Sequence, residues 1–168
     1  MTLSEKHRAY LIREQVIAPA LINFALNAVI AWLIFRGRGS VPLWGEGGMA
    51  QDSLATLFLL PFLTCLIVTP LVRRAVASGK VPPLDAAGAV PPLVLRLPRS
   101  LLARSTALGL GAVLAGAPLL LGGLVAAGAT AFAVPSLVLG KGVYTALLAA
   151  LVGPLIALRA LAEPRGGA

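Results

Sequence analysis

Four apolar runs, each about as long as a bilayer is thick, constrain this chain more than any other feature. They cover residues 15–35, 54–72, 106–127 and 143–161. A helix needs about 20 residues to cross the hydrocarbon core, and every run lies in the usual range of roughly 17–25. Backbone amides cannot stay unpaired in lipid, and no run alternates with period two, so helices are expected rather than barrel strands. The sequence predicts an all-α fold: a polytopic membrane protein with a four-helix transmembrane bundle.

The composition agrees with a lipid-embedded chain. Of the 168 residues, 58% are hydrophobic and 12% are charged, whereas soluble domains carry about 25% charged residues. The predicted organisation is a cytoplasmic segment (1–14), a transmembrane hairpin (15–72), a Pro/Arg-rich interfacial loop (73–105), a second hairpin (106–161) and a cytoplasmic tail (162–168). The polar residues 1–14 do not resemble a signal peptide, so the first span is expected to be an uncleaved anchor.

The basic residues predict which side of the membrane each segment faces. The chain carries 14 Lys and Arg against 6 Asp and Glu, for a net charge of +8. Eleven of these bases fall in the N-terminal segment, in the central loop, and in the tail together with the end of the last span, and the other three are Arg36, Arg38 and Lys141. The positive-inside rule therefore predicts that both termini are cytoplasmic. The bases are scattered between apolar runs without an aromatic platform, so nucleic acid is not an expected partner.

Two groups of residues are predicted to anchor the bundle at the membrane surfaces. Trp32 and Trp44 fall near the outer interface, where indole rings prefer to lie, although Trp44 beside Glu46 also suits an extracytoplasmic contact site. The central loop is extended around its two VPPL segments. Its arginines are expected to lie on anionic lipid headgroups, and they are Arg73, Arg74, Arg96, Arg99 and Arg104. A proline-rich ligand for an SH3-like partner is the alternative for this loop.

Small residues recur in the last two spans. Gly109, Gly116 and Gly123 are seven residues apart, a period that keeps one helix face against a partner. Glycine on such a face lets two backbones approach closely. This packing seam is completed by Ala112, Ala126, Ala149 and Gly153. The last two spans are expected to pack as a hairpin or across an oligomer interface, with biased composition as the alternative explanation.

Asn23 and Asn27 lie one helical turn apart in the first span. Both amides point the same way near mid-membrane, where exposure to lipid is costly. Thr64 and Cys65 lie at a similar depth in the second span and are candidate partners. The favoured interpretation of this polar intramembrane face is hydrogen bonding between helices. The alternative is a polar lining for a neutral or zwitterionic solute.

The chain offers no recognisable catalytic or cofactor chemistry. Cys65 is the single cysteine and His7 the single histidine, which excludes disulfide exchange and bis-histidine haem ligation. No grouped Ser, His and Asp and no metal or nucleotide motif occurs, so no enzyme activity, cofactor or metal is expected. No ionisable residue falls in the middle of a predicted span, which argues against proton-coupled export. Asp52 is interpreted as a favourable charge at a helix N-terminus.

Two functional hypotheses follow from these patterns. The favoured one is a non-enzymatic scaffold or accessory subunit that packs against itself or a partner in a larger membrane complex. The alternative is a small permease-like protein that oligomerises around a passage beside Asn23 and Asn27. Arginine outnumbers lysine 11 to 3, and alanine and glycine are abundant, a bias that suggests a bacterial inner membrane.

Overall fold

The computed structural model describes residues 3–84 and 90–163. Its four long helices are Glu5–Phe35, Met49–Ala77, Leu101–Ala126 and Val134–Leu161, here called the first to fourth helices. All four are long and apolar enough to cross a membrane. This confirms the all-α prediction and a multi-pass membrane protein. Parts of the predicted N-terminal segment, central loop and tail (residues 1–2, 85–89 and 164–168) lie outside the described residues.

The helices extend past the predicted spans, and in the fourth the extension takes in a charged residue. It begins at Val134, whereas the sequence analysis placed its start at residue 143 and left Lys141 in a loop. Pro135 lies in the first turn. N–H groups there have no acceptor within the helix, so the missing N–H of proline costs no hydrogen bond. Lys141 is tolerated within the helix because an acidic partner on the second helix neutralises it.

Two of the helices end in the same glycine-dependent hydrogen-bond pattern. After the second helix, Gly79 has a φ of 76° and its N–H donates to the Val76 carbonyl, while Lys80 N–H donates to the Ala75 carbonyl. Gly128 ends the third helix with a φ of 73° and equivalent bonds. Glycine adopts this left-handed conformation without steric cost, which stops the helix and pairs its last carbonyls.

The first helix is widened near its start. Residues Leu11–Ile17 form a π-helical segment between the α-helical segments Glu5–Tyr10 and Ala18–Phe35. Pro19, two residues after this segment, has no N–H to donate to the carbonyl four residues earlier, that of Gln15. The widened turn and the proline together leave the Gln15 carbonyl free to face a neighbouring helix.

The helices pack in the order first, fourth, second, third, so the fourth lies between the first and the second. Both described chain ends lie at one end of this bundle, called the terminal end. At the opposite end, Ser40–Pro42 and Ala131–Ala133 pair as two short antiparallel strands, and this is called the strand end. A buried apolar cluster fills each end, and a smaller one around Cys65, Val152 and Ile156 lies between them. A short helix, Pro92–Leu95, precedes the third long helix.

Candidate functional site

A buried ion pair joins the second and fourth helices near the strand end. Lys141 Nζ donates to both carboxylate oxygens of Asp52, at 2.6 and 2.5 Å. The Lys141 side chain is 3% exposed and that of Asp52 is 19% exposed. At 1.5 Å per residue, Lys141 lies roughly 10 Å inside its helix. The pair therefore occupies the margin of the apolar part of the bundle rather than its surface.

Hydroxyl groups surround this pair. Ser53 is fully buried beside Asp52, and Tyr144, one turn after Lys141, directs its hydroxyl towards Ser53 and Thr56. Within the described residues, the buried Ser53 and Tyr144 oxygens form no hydrogen bond. Asp52, Ser53, Thr56, Lys141 and Tyr144 together are called the Asp52 cluster. It combines a positive charge, a negative charge and two buried hydroxyls with unused hydrogen-bonding capacity.

The Asp52 cluster extends one interpretation made from the sequence and corrects another. Asp52 lies in the first turn of the second helix, where a negative charge was expected, but Gly48 is the N-cap residue and the Asp52 carboxylate binds Lys141. Lys141 belongs to a spanning helix and not to an outer loop. The available signal was one acid and one base near the same predicted outer surface. The two residues lie in separate runs of the chain, and neither run alone indicates their pairing.

The two asparagines form hydrogen bonds within their own helix. Asn23 Nδ2 donates to the Pro19 carbonyl at 2.9 Å, and Asn27 Nδ2 donates to the Asn23 carbonyl at 3.0 Å. Both side chains are half-buried. The neighbouring helix is the fourth, whose Thr145 hydroxyl lies 3.3 Å from the Asn23 carbonyl.

The structure does not bring the asparagines together with Thr64 and Cys65, because the fourth helix separates the first from the second. Thr64 is half-buried. The thiol of Cys65 is buried and lies 3.7 Å from the Thr69 hydroxyl on its own helix. The predicted polar face is therefore two separate groups on different helices.

The glycines of the third helix pack mainly on the second helix rather than the fourth. A Cβ at Gly109 would lie 2.8 Å from the Phe58 ring and 2.9 Å from the Phe58 carbonyl, and one at Gly116 would lie 2.8 Å from Leu57. Ala112 is half-buried between them. The remaining third-helix members of the predicted seam are exposed, and they are Gly123 and Ala126.

The small residues of the fourth helix pack against the first helix. A Cβ on Gly153 would overlap the Gln15 carbonyl oxygen of the first helix, and Ala149, one turn earlier, is fully buried. This is the carbonyl that Pro19 leaves without its α-helical donor. The predicted pairing of the third and fourth helices through the seam is thus replaced by two contacts, third to second and fourth to first.

A second group of charges, most of them buried, lies at the terminal end. Glu163, just past the fourth helix, accepts from Arg104 Nη1 at 2.5 Å and from Arg73 Nε at 2.9 Å. Arg159 Nη1 lies 3.6 Å from the same carboxylate, and Arg104 Nη2 lies 3.4 Å from the Thr69 hydroxyl. Arg73, Arg104, Arg159 and Glu163 together are called the Glu163 cluster.

The electrostatics of the Glu163 cluster favour an ionised carboxylate. Burial by itself raises the pKa of Glu163, but hydrogen bonds from Arg104 and Arg73, with their charges, hold this pKa below its ordinary value. Arg104 is fully buried, so it does not lie on the membrane surface as the sequence analysis expected. The acid that draws it inward lies 59 residues later in the chain.

The other proposed anchors lie at the two ends of the bundle. Trp32 and Trp44 are about half exposed at the strand end, and the Arg36 guanidinium lies 5.0 Å from the Trp32 ring centre. The exposed arginines of the second helix and the central loop lie at the terminal end, and they are Arg74, Arg96 and Arg99. Their contact with lipid headgroups stays a prediction.

Within the described ranges, no three His, Cys, Asp or Glu side chains come together as metal ligands would. Comparison of the chain with protein-family models, with curated proteins and with solved structures gives no match. Inferences about function therefore depend on the two charge clusters and on the outer faces of the helices.

Proposed function

We propose that this chain is a non-enzymatic membrane scaffold or accessory subunit, whose third helix packs against a spanning helix of a further subunit. The subunit is either a second copy or a different protein. The distribution of basic residues supports cytoplasmic termini, and the arginine-rich composition supports a bacterial inner membrane. Hydrogen bonds of Asn23 and Asn27 within their own helix support a structural role for these amides.

The observation that carries this proposal is an exposed row of small residues on the third helix. Gly111, Ala115, Gly122 and Ala126 share one face at spacings of four and seven residues, and all are exposed. A Cβ at Gly111 or Gly122 would meet nothing within 4 Å. Glycine inside a helix costs about 0.5–1 kcal/mol relative to alanine, and no contact within the described chain offsets that cost. Close packing against an external helix would offset it.

Gly122→Leu tests the scaffold proposal directly. We expect the wild-type protein, gently extracted from its native membrane, to have a mass above that of one chain. Gly122→Leu should lose the added mass because leucine blocks close helix approach. Gly140→Leu is the matched control, since Gly140 is also an exposed helical glycine with nothing within 4 Å. Gly116→Leu is less informative because it collides with Leu57 inside the chain.

A monomeric wild-type protein, or a Gly122→Leu variant that keeps the wild-type mass, would contradict the scaffold proposal. Composition analysis of the same sample distinguishes a homo-oligomer from a complex with another protein. Size-exclusion chromatography with light scattering gives the mass, and mass spectrometry identifies the chains.

The Asp52 cluster supports a permease as a second candidate function. A zwitterionic solute carries charges complementary to Asp52 and Lys141, and the free hydroxyls of Ser53 and Tyr144 would bind its polar atoms. We expect Tyr144→Phe to lower amino-acid flux into proteoliposomes about tenfold while leaving the unfolding temperature nearly unchanged. Thr106→Val, at an exposed hydroxyl elsewhere, is the control. Equal flux in both variants, or no flux above protein-free vesicles for the wild-type protein, would exclude this function.

A further inference from the structure

The Glu163 cluster holds more positive than negative charge. Three guanidinium groups, from Arg73, Arg104 and Arg159, meet one carboxylate. Among the described residues this leaves three positive charges against one negative charge, a net of +2. Charge removed from water needs compensation by an opposite charge. The cluster therefore attracts a further anion, or an anion with more negative charge than a single carboxylate.

The buried arginines also have unused hydrogen-bond donors. The Arg104 side chain is fully buried and the Arg159 side chain is 8% exposed, and the Nε–H of each has no partner in the described chain. Arginine donors in a planar arrangement match the oxygens of a phosphate group. These donors belong to the same guanidinium groups that already face Glu163, so they identify the cluster as an anion site.

Glu163 is placed so that it can exchange with another anion. It lies beyond the last helical residue, Leu161, and its N–H forms one long backbone bond, 3.4 Å to the Ala160 carbonyl. Movement of this carboxylate does not require any turn of the fourth helix to unwind. The Arg73 side chain is 51% exposed and gives an incoming anion a route to the buried arginines.

We propose that Arg73, Arg104 and Arg159 form a binding site for the phosphate group of an anionic phospholipid, and that Glu163 occupies this site as an internal competitor. Arg73 and Arg104 lie about one turn inside the ends of their helices, and the ends of spanning helices reach the headgroup region of a bilayer. Basic sites between spanning helices commonly bind such headgroups. This inference does not depend on the scaffold role, because the third-helix row lies on different residues.

The first test is lipid binding in neutral detergent micelles, where no charged surface contributes. Phosphatidylglycerol would be titrated against the whole protein and bound lipid counted by native mass spectrometry, with phosphatidylcholine as the neutral lipid. We expect Arg73→Gln to weaken phosphatidylglycerol binding about tenfold, because a charge-assisted hydrogen bond is lost. Arg74→Gln is the matched control. Arg74 is exposed and adjacent in sequence, and its expected headgroup contact needs a charged bilayer surface, which a neutral micelle lacks. The affinity of this variant for phosphatidylglycerol should change less than twofold.

Glu163→Gln separates a competitor from a purely structural acid. If the carboxylate competes with phosphate, its removal should raise the affinity for phosphatidylglycerol about fivefold. Reduced affinity in Glu163→Gln would overturn the proposal, as would equal losses in Arg73→Gln and Arg74→Gln. Should Glu163→Gln fail to fold, the phosphatidylglycerol affinities of Arg73→Gln and Arg74→Gln still test whether Arg73 belongs to a lipid site. Inorganic phosphate that displaces phosphatidylglycerol at equal concentration would overturn the assignment to lipid.

Discussion

We expect Gly153→Ala to lower the free energy of unfolding by about 3 kcal/mol, at the upper end of typical overpacking costs. The added methyl group would overlap the Gln15 carbonyl oxygen. Neither atom can rotate away, because one is a Cβ and the other is a backbone oxygen. The first and fourth helices must therefore move apart at this contact. Thermal unfolding in detergent, followed by circular dichroism, measures the effect.

Gly140→Ala provides the control for this prediction. It makes the same chemical change in the same helix, at a position where a Cβ meets nothing within 4 Å. Its stability should stay unchanged or rise slightly, since alanine favours helix. If both variants unfold at the wild-type temperature, the close contact between Gly153 and Gln15 does not exist in the folded protein.

We expect Lys141→Met to destabilise the protein by about 3 kcal/mol, because it leaves the Asp52 carboxylate buried without its partner. Asp52 is 19% exposed, so water reduces the loss relative to a fully enclosed charge. The double variant Lys141→Met with Asp52→Leu should regain most of the stability, since an apolar pair replaces two charges that both required desolvation.

The four variants of this double-mutant cycle measure the coupling between the two side chains directly. Lys80→Met is the matched control because Lys80 pairs with Glu14 on the surface, with side chains 55% and 45% exposed. Exposed pairs contribute little, so its unfolding temperature should not change measurably. Additive effects of the Lys141 and Asp52 substitutions would show that the pair is not formed.

The sequence was sufficient to predict the helices because their physical cause is local. Each apolar run is long enough to span lipid, and lipid permits few backbone conformations. The limits of the fourth helix were not predictable in the same way. Lys141 ends an apolar run when considered alone, and its neutralising acid lies 89 residues earlier.

The packing partners of the glycines could also not be predicted from the neighbouring sequence. A seven-residue period indicates that Gly109 and Gly116 face a helix, but it does not specify which helix. Phe58 and Leu57 of the second helix fill these positions. The same limit applies to Asn23 and Asn27: their shared face was predictable, whereas bonding to carbonyls of their own helix depends on which neighbour packs beside them.

The packing order of the helices has a consequence for biosynthesis. The fourth helix is made after the other three, yet it lies between the first and the second. Until the fourth helix has been synthesised and inserted, the first helix lies in the bilayer without this neighbour. Asn23 and Asn27 each donate one side-chain hydrogen bond within their own helix, which lowers the free energy of the first helix before the fourth is present. Asp52 acquires its buried partner only when Lys141 is inserted, so insertion of the fourth helix and neutralisation of the second helix coincide.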